Sequence, residues 1–235
     1  MRRICLVVLC LLVAGVGGET AAASVHHHAH YQARLAQGQK LCQKPHKRCH
    51  RKQRSVSQKQ QSESQTSSEP STALPPLTDL IAPETACPGQ SDTSLPAASQ
   101  EATMACMINF ARSMAGDAGL ATFAALDDSS DDKAGDIIQC DEFSHTACGR
   151  PFTYWLEQEG YAQPGACWGA GENLAWGTGE LSTVRSILTA WVNSPDHLAN
   201  MLTASFDHFG VGMEVGPLNG YPDAHIWVTH FGATC

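Results

Sequence analysis

The segment from residue 171 to residue 212 constrains the fold most, because it sets a carboxylate and an imidazole on either side of a predicted apolar helix. The carboxylate is Glu172 and the imidazole is His197, and the segment is otherwise poor in ionisable groups. Such groups are costly to bury without partners. The pattern therefore predicts that Glu172 and His197 share a cleft, with His145 as a third member.

The beginning of the chain has the pattern of an export signal. Two arginines precede an apolar run over residues 4–16, and residues 21–23 are all alanine, as a cleavage site requires. The run is shorter than the ~20 apolar residues that span a bilayer. We therefore predict a signal peptide over residues 1–23. The mature protein is expected to be secreted, extracellular or cell-wall-associated, and without a transmembrane segment.

Charge divides the rest of the chain into two parts. Residues 24–62 contain nine Lys or Arg and no acids, whereas 20 acids face four bases from residue 78 onward. We predict a disordered basic tail and linker, rich in His, Gln and Ser, over residues 24–85 and a folded domain over residues 86–235. The acidic domain is a poor candidate for nucleic-acid binding, which needs Lys and Arg. The tail is either a solvated tether or a contact for an anionic surface.

Six cysteines fall within the predicted domain, an even number that indicates three disulfides in an oxidising compartment. Sequence alone leaves 15 connectivities open. The six are Cys87, Cys106, Cys140, Cys148, Cys167 and Cys235.

Hydrophobic periodicity predicts helices first and a hairpin last, which is typical of an α+β layered domain. Helices are predicted over residues 100–114, 127–139, 151–158 and 183–192, and from Ser194-Pro195 onward. Strands are predicted over residues 209–215, as a half-buried strand, and 224–231, joined by a turn-rich loop over residues 217–223. Asp128, Asp132 and Asp136 are expected on a solvated helix face.

Two chemical interpretations of the candidate cleft remain open. In one, His145 and His197 bind Zn²⁺ and Glu172, in a glycine-flanked turn, is the general base. Neutral imidazole, the form that binds metal, is favoured for His197 near the start of its helix. In the other, the same residues form a structural hydrogen-bond cluster. His230, in the predicted hairpin, is a further candidate for the cleft.

The chain resembles the CAP superfamily, which comprises cysteine-rich secretory proteins, antigen 5 and plant pathogenesis-related proteins. The likeness covers about residues 100–235. It rests on Asn109-x-x-Arg112, Gly119-Leu120, Ser144-His145, Gly171-Glu172-Asn173-Leu174-Ala175-Trp176, Trp191-x-x-Ser194-Pro195-x-His197-x-x-Asn200-x-Leu202, Gly210-Val211-Gly212 and Trp227-Val228-Thr229-x-Phe231-Gly232.

The resemblance implies a three-layer α-β-α sandwich with a shallow cleft of two histidines and two acids that sometimes holds zinc. The matching residues are His145, Glu172 and His197, while Ser194 stands where the second acid is expected. The resemblance also implies diverse roles, including sterol or lipid binding, so the fold transfers better than the activity.

For the disulfides we predict Cys87 with Cys106, Cys148 with Cys167, and Cys140 with Cys235. The leading functional hypothesis is a secreted binding module for a lipid, glycan or peptide, with a cleft that is a candidate divalent-metal site. The alternatives are a zinc-dependent extracellular hydrolase and a structural wall-associated protein.

Overall fold

The computed structural model of the protein describes residues 7–13 and 74–234. The predicted cleavage site, most of the predicted tail and Cys235 lie outside the described residues. The strands are β1 Val7–Val13, β2 Ala121–Thr122, β3 Trp168–Gly177, β4 His208–Leu218 and β5 Tyr221–Thr234. The helices are α1 Ala97–Ala115, α2 Ala124–Gln139, α3 Thr153–Gln158, α4 Val184–Val192 and α5 Pro195–Met201.

The strands form one sheet in the order β1-β3-β5-β4-β2. Strands β3, β4 and β5 pair antiparallel, β1 adds antiparallel to the outer edge of β3, and the short β2 runs parallel to β4. In this register Glu172 on β3 lies opposite His230 on β5, and His230 lies opposite Gly210 on β4. The sheet therefore brings Glu172 next to His230.

Helices cover both faces of the sheet, because side chains alternate across each strand and both sets are buried. One face packs against α1, α4 and α5 through a core that includes Met104, Ile108, Leu188, Trp191, Phe209, Trp227 and Phe231. The other face packs against α2 and the segment around α3 through Ile137, Leu174, Ile226, Val228 and, in a neighbouring cluster, Leu126 and Leu156. The predicted three-layer α-β-α sandwich is confirmed.

Glycines allow α2 to lie directly on β4. A Cβ at Gly210 would overlap the backbone of Leu126, and one at Gly212 would overlap the backbone at Asp131. The β4 strand, predicted to be half-buried, is therefore covered on both faces along this stretch.

Several local predictions differ from the structure. The strand β3 was not predicted, and Glu172 lies in its middle rather than in a turn. The turn between β4 and β5 has only two residues, Asn219 and Gly220, both with positive φ as a type I′ turn requires. The folded part begins before residue 86, since Leu80 is fully buried in the core. Asp136 is also buried, where it pairs with Arg150.

The disulfides match the predicted pairing only in part. The Cys87–Cys106 bond is confirmed. Cys140 bonds to Cys148, so the predicted pairings of Cys140 with Cys235 and of Cys148 with Cys167 are wrong. The chain folds back beyond the end of α2 and brings the two Cα atoms within 5.5 Å, a normal separation for a bridge. Cys167 is disulfide-bonded too.

Candidate functional site

A fully buried carboxylate, Glu172, lies at the centre of the site between β3 and α2. Its Oε1 pairs with Nδ1 of His145, in the loop after α2, and its Oε2 lies 2.9 Å from Nε2 of His230 on β5. The Cys140–Cys148 disulfide closes the loop that carries His145. Both carboxylate oxygens are therefore held by imidazole groups from two separate parts of the chain.

The charge of Glu172 is stabilised by its neighbours. Burial alone would raise the pKa of this carboxyl, but hydrogen bonds from His145 and His230, together with the positive charge of these rings when they are protonated, outweigh burial and lower the pKa to about 2. Lys133 on α2 is also buried, and its Nζ donates to the backbone oxygen of His145 at 2.8 Å. Burial lowers the pKa of Lys133, while attraction to Glu172 opposes that shift. The site thus contains a buried anion, Glu172, and a buried amine, Lys133, that attract each other.

An ionised carboxylate can only accept hydrogen bonds, so both imidazoles donate to Glu172. A neutral His145 then carries its single proton on Nδ1, and its Nε2 keeps a lone pair. That Nε2 is buried and has no hydrogen-bond partner among the described residues. Only 6% of the His145 surface is exposed. The site therefore contains one acceptor that the described protein groups do not satisfy.

The structure places His197 and Ser194 on the other face of the sheet. Asn173 follows Glu172 in β3, so its side chain points away from α2. Its Nδ2 donates to the backbone oxygen of His197 at 3.1 Å. Within α5, Nδ1 of His197 lies 2.7 Å from Oγ of Ser194. The structure thus brings together His145, Glu172 and His230 from the predicted cleft, and sets His197 and Ser194 apart from them.

This arrangement does not fit the predicted zinc ligands. His145 and His197 belong to opposite faces of the sheet, and both oxygens of Glu172 are occupied by imidazoles. Over residues 74–234, no group of three or more His, Cys, Asp or Glu side chains is arranged to hold a metal ion. Among the ring nitrogens that surround Glu172, only Nε2 of His145 is left as a metal ligand, and a zinc site takes three or four.

Two members of the site, Ser129 and Lys133, were missed in the sequence. Both are buried on α2, where Leu126, Ser129, Lys133 and Ile137 form the stripe that faces the sheet. Their spacing of three and four residues is that of a helix face. The sequence did not indicate this buried stripe, because the aspartates around it are typical of a helix that is exposed to solvent.

The three-layer sandwich and its buried histidine–carboxylate cluster define a small α-β-α domain built around a polar centre. The model of the CAP family, the cysteine-rich secretory protein family, matches residues 107–231, which is more than half of the chain. The chain belongs to this family. A comparison with curated proteins found no match.

Solved structures with a similar fold come from bacteria. An extracellular protein containing an SCP domain from Bacillus anthracis is 21% identical with a TM-score of 0.48, over 59% of this chain and 41% of that protein. An outer surface protein from Borrelia burgdorferi is 20% identical with a TM-score of 0.46, over 56% of this chain and 90% of that one. A cysteine-rich secretory protein from Staphylococcus aureus is 15% identical with a TM-score of 0.41, over 57% and 39%.

The chain thus matches about two fifths of the length of the Bacillus anthracis and Staphylococcus aureus proteins. Among the described residues, no helix is both long and apolar enough to cross a bilayer.

Proposed function

We propose that the protein is a secreted CAP-family binding module, extracellular or cell-wall-associated, that holds its ligand at Nε2 of His145. The observation that supports this most is the buried Nε2 atom, which lacks a partner among the described residues while Nδ1 is committed to Glu172. A buried acceptor without a partner costs free energy, and a ligand that donates a hydrogen bond recovers it. The ligand is therefore a hydroxyl or amide donor, as in a lipid, glycan or peptide.

The chemistry of Glu172 favours binding over acid–base catalysis. A general base works best when its pKa lies near the working pH, whereas the pKa of Glu172 is about 2. Both of its oxygens are occupied, and Ser194 replaces the second acid that the resemblance implies. The carboxylate orients His145 and does not reach a substrate.

A hydrolase is the second candidate, because His145 and Glu172 have the arrangement of a base and the group that orients it. In that case His145 would activate water at Nε2. A structural wall-associated protein is the third, and it requires no ligand at His145.

Export and attachment complete the proposal. The signal peptide over residues 1–23 directs the chain out of the cell, and the basic tail contacts an anionic surface. This segment includes β1, so its cleavage removes β1 from the edge of β3. Sequencing the amino terminus of protein recovered from culture medium tests the first part. A start near residue 24 supports export, and recovery of only uncleaved protein inside cells contradicts it.

Thermal unfolding of the full chain tests binding at His145. The tail histidines at positions 26, 27, 28 and 30 are replaced by alanine in every sample, because His-rich tracts of this kind can bind metals by themselves. The probes are cholesterol, triacetylchitotriose and Zn²⁺, each with the parent chain, with His145→Gln and with the control His208→Gln.

We expect a hydroxyl-bearing or amide-bearing probe to raise the Tm of the parent chain and of His208→Gln but not of His145→Gln. A ligand at 100 times its Kd adds about 2.7 kcal/mol, which shifts Tm by about 5–11 °C, at about 2–4 °C per kcal/mol for a chain of this size. If no such probe acts, or if His145→Gln responds equally, the proposed site is wrong. Stabilisation by Zn²⁺ alone would favour a metal site, and ester hydrolysis lost in His145→Gln would favour the hydrolase.

A further inference from the structure

Two buried residues behind Glu172, Ser129 and His230, take no direct part in the proposed binding. Ser129 lies on α2 and His230 on β5, and both are fully buried. We propose that Ser129 is a positioning residue for His145, acting through His230 and Glu172. The proposal rests on the proposed function only in naming His145 as the binding group.

Four side chains form one series of hydrogen bonds. Oγ of Ser129 lies 2.8 Å from Nδ1 of His230, and Nε2 of His230 lies 2.9 Å from Oε2 of Glu172. Oε1 of Glu172 pairs with Nδ1 of His145. The series therefore runs from the middle of α2, across two strands, to the unsatisfied Nε2 of His145.

The position of each proton follows from the carboxylate. Ionised Glu172 accepts at both oxygens, so His230 carries its proton on Nε2 and presents a lone pair at Nδ1. A lone pair buried in a dry interior needs a donor. The hydroxyl of Ser129 is that donor.

The same hydroxyl also lies 3.0 Å from the backbone oxygen of Leu126. Within α2, the backbone oxygen of Leu126 already accepts a hydrogen bond from the backbone N–H four residues later in the helix. Nδ1 of His230, in contrast, has no other donor than the Ser129 hydroxyl among the described residues. Ser129 therefore fixes His230 in one tautomer, with Nε2–H directed to Glu172.

The consequence for His145 follows from the shared carboxylate. With His230 fixed, each imidazole holds one oxygen of Glu172, and the proton of His145 stays on Nδ1. Without the hydroxyl, Nδ1 of His230 loses its donor and the ring no longer holds Nε2–H on Glu172. The carboxylate then turns between partners, and His145 samples the tautomer that carries its proton on Nε2. That tautomer cannot accept a hydrogen bond from a ligand.

The neighbouring residue Ser130 supplies a matched control. It is equally buried on α2, and its Oγ donates to the backbone oxygen of Gly210 at 3.1 Å. It also accepts from the backbone N–H of His230 at 3.2 Å, so it contacts the backbone of His230 rather than the ring. Replacing Ser130 disturbs the same packing and leaves the tautomers alone.

The test is a long-range ¹H–¹⁵N spectrum of the full chain labelled at histidine nitrogens, which distinguishes protonated from bare ring nitrogens. Signals are assigned with His145→Gln and His230→Gln. We expect a bare Nε2 for His145 and a bare Nδ1 for His230 in the parent chain. Ser129→Ala should replace the single-tautomer signals of both rings by averaged ones, Ser130→Ala should keep them, and Ser129→Thr should restore them.

If Ser129→Ala does not fold, the nearly isosteric Ser129→Cys replaces it, and its weaker donor should give a partial change. The proposal is overturned if the alanine or cysteine variant keeps the parent signals, if Ser130→Ala changes them as much, or if His230 is protonated on both nitrogens. These spectra need no ligand. Failure of every probe to bind at His145 would therefore contradict the proposed function and leave the positioning result to be judged separately.

Discussion

The buried carboxylate Glu172 and the acidic group formed by Glu101 and Asp131 respond to burial in opposite ways. Glu172 is fully buried, yet its pKa falls to about 2. Glu101 is partly buried and Asp131 is largely exposed, yet burial and then repulsion from Asp131 raise the pKa of Glu101 to about 7. Burial and then the charge of Glu214 raise that of Asp131 to about 6. The depth of burial therefore does not decide the charge of a carboxyl in this protein.

Partners account for the difference. Glu172 has two imidazoles on its oxygens and Lys133 within electrostatic range. Glu101 has one backbone donor, the N–H of Met213 at 3.2 Å, and acidic neighbours. A domain with 20 acids and four bases from residue 78 onward cannot pair every carboxylate. Of the two buried cations in the described domain, Arg112 and Lys133, the lysine lies beside the fully buried Glu172.

The largest expected effect comes from removing the charge of Glu172. Glu172→Gln leaves Lys133 without its buried anion and gives one of the two imidazoles a donor in place of an acceptor. Breaking a buried charge pair costs about 3–5 kcal/mol. Urea unfolding of the full chain should show a lower midpoint with an unchanged slope. A loss below about 1 kcal/mol would mean that Glu172 is protonated in the folded protein.

A second substitution disturbs both regions at once, because α2 carries Asp131 of the acidic group and Lys133 beside Glu172. Gly212→Ala pushes the α2 backbone off β4, since the new Cβ would overlap the backbone at Asp131. Overpacking of this kind costs about 1–3 kcal/mol. Gly216→Ala is the matched control, because its Cβ meets only the Ile138 side chain, at 2.9 Å. Equal losses in thermal unfolding for the two variants would contradict direct contact between helix and strand at Gly212.

The dependence of stability on pH should separate the two groups. The stabilising contribution of Glu172 is complete above its ordinary pKa of 4.5 and is lost as pH falls through about 2. The raised pKa values of Glu101 and Asp131 affect stability in the opposite direction. Their ionised forms destabilise the folded state, fully so above about pH 7 and pH 6, and this cost is relieved as pH falls toward their ordinary pKa values. We expect urea midpoints to rise from pH 8 to pH 5 and to fall below pH 4.5. A profile that rises steadily with pH would break the comparison.

The smallest expected effect is that of Glu101→Gln. The amide oxygen still accepts from Met213, while the repulsion with Asp131 disappears. We expect a gain below about 1 kcal/mol at pH 8, because solvent screens a half-buried group, and no gain at pH 4.5. The measurement is the difference between the urea midpoints of variant and parent at the two pH values. A loss of stability at pH 8 would show that the charge of Glu101 is favourable.

The layered fold could be predicted because each of its signals is local. Val184, Ile187, Leu188 and Trp191 recur at helix spacing and are all buried in α4. The sequence did not predict β3, because its glycine, alanine, glutamate and asparagine residues show no alternation of apolar and polar side chains. Glu172 and Asn173 are polar but buried on both faces, a pattern that depends on contacts far along the chain.

The candidate site could be predicted only as a set of residues. His145, Glu172 and His230 were named from the sequence, and the structure brings them together. Their separation from His197 follows from strand alternation at Glu172 and Asn173, which required knowing that this segment is a strand. The sequence could not predict Ser129 as part of the site, since its role depends on the strand register that places His230 against α2.

The acidic group has a consequence for how the protein behaves in a crowded solution. Beyond the two residues of β2, the outer edge of β4 offers the N–H groups of Val211 and Met213, and these donate to Asp127 at 3.0 Å and to Glu101 at 3.2 Å. An exposed strand edge recruits strands from other molecules. The two carboxylates occupy the donors that such recruitment needs and surround them with negative charge. The position that raises the pKa values of these two carboxyls therefore also protects the sheet against edge-to-edge aggregation. This benefit depends on contacts between molecules, so a measurement of the stability of one molecule does not detect it.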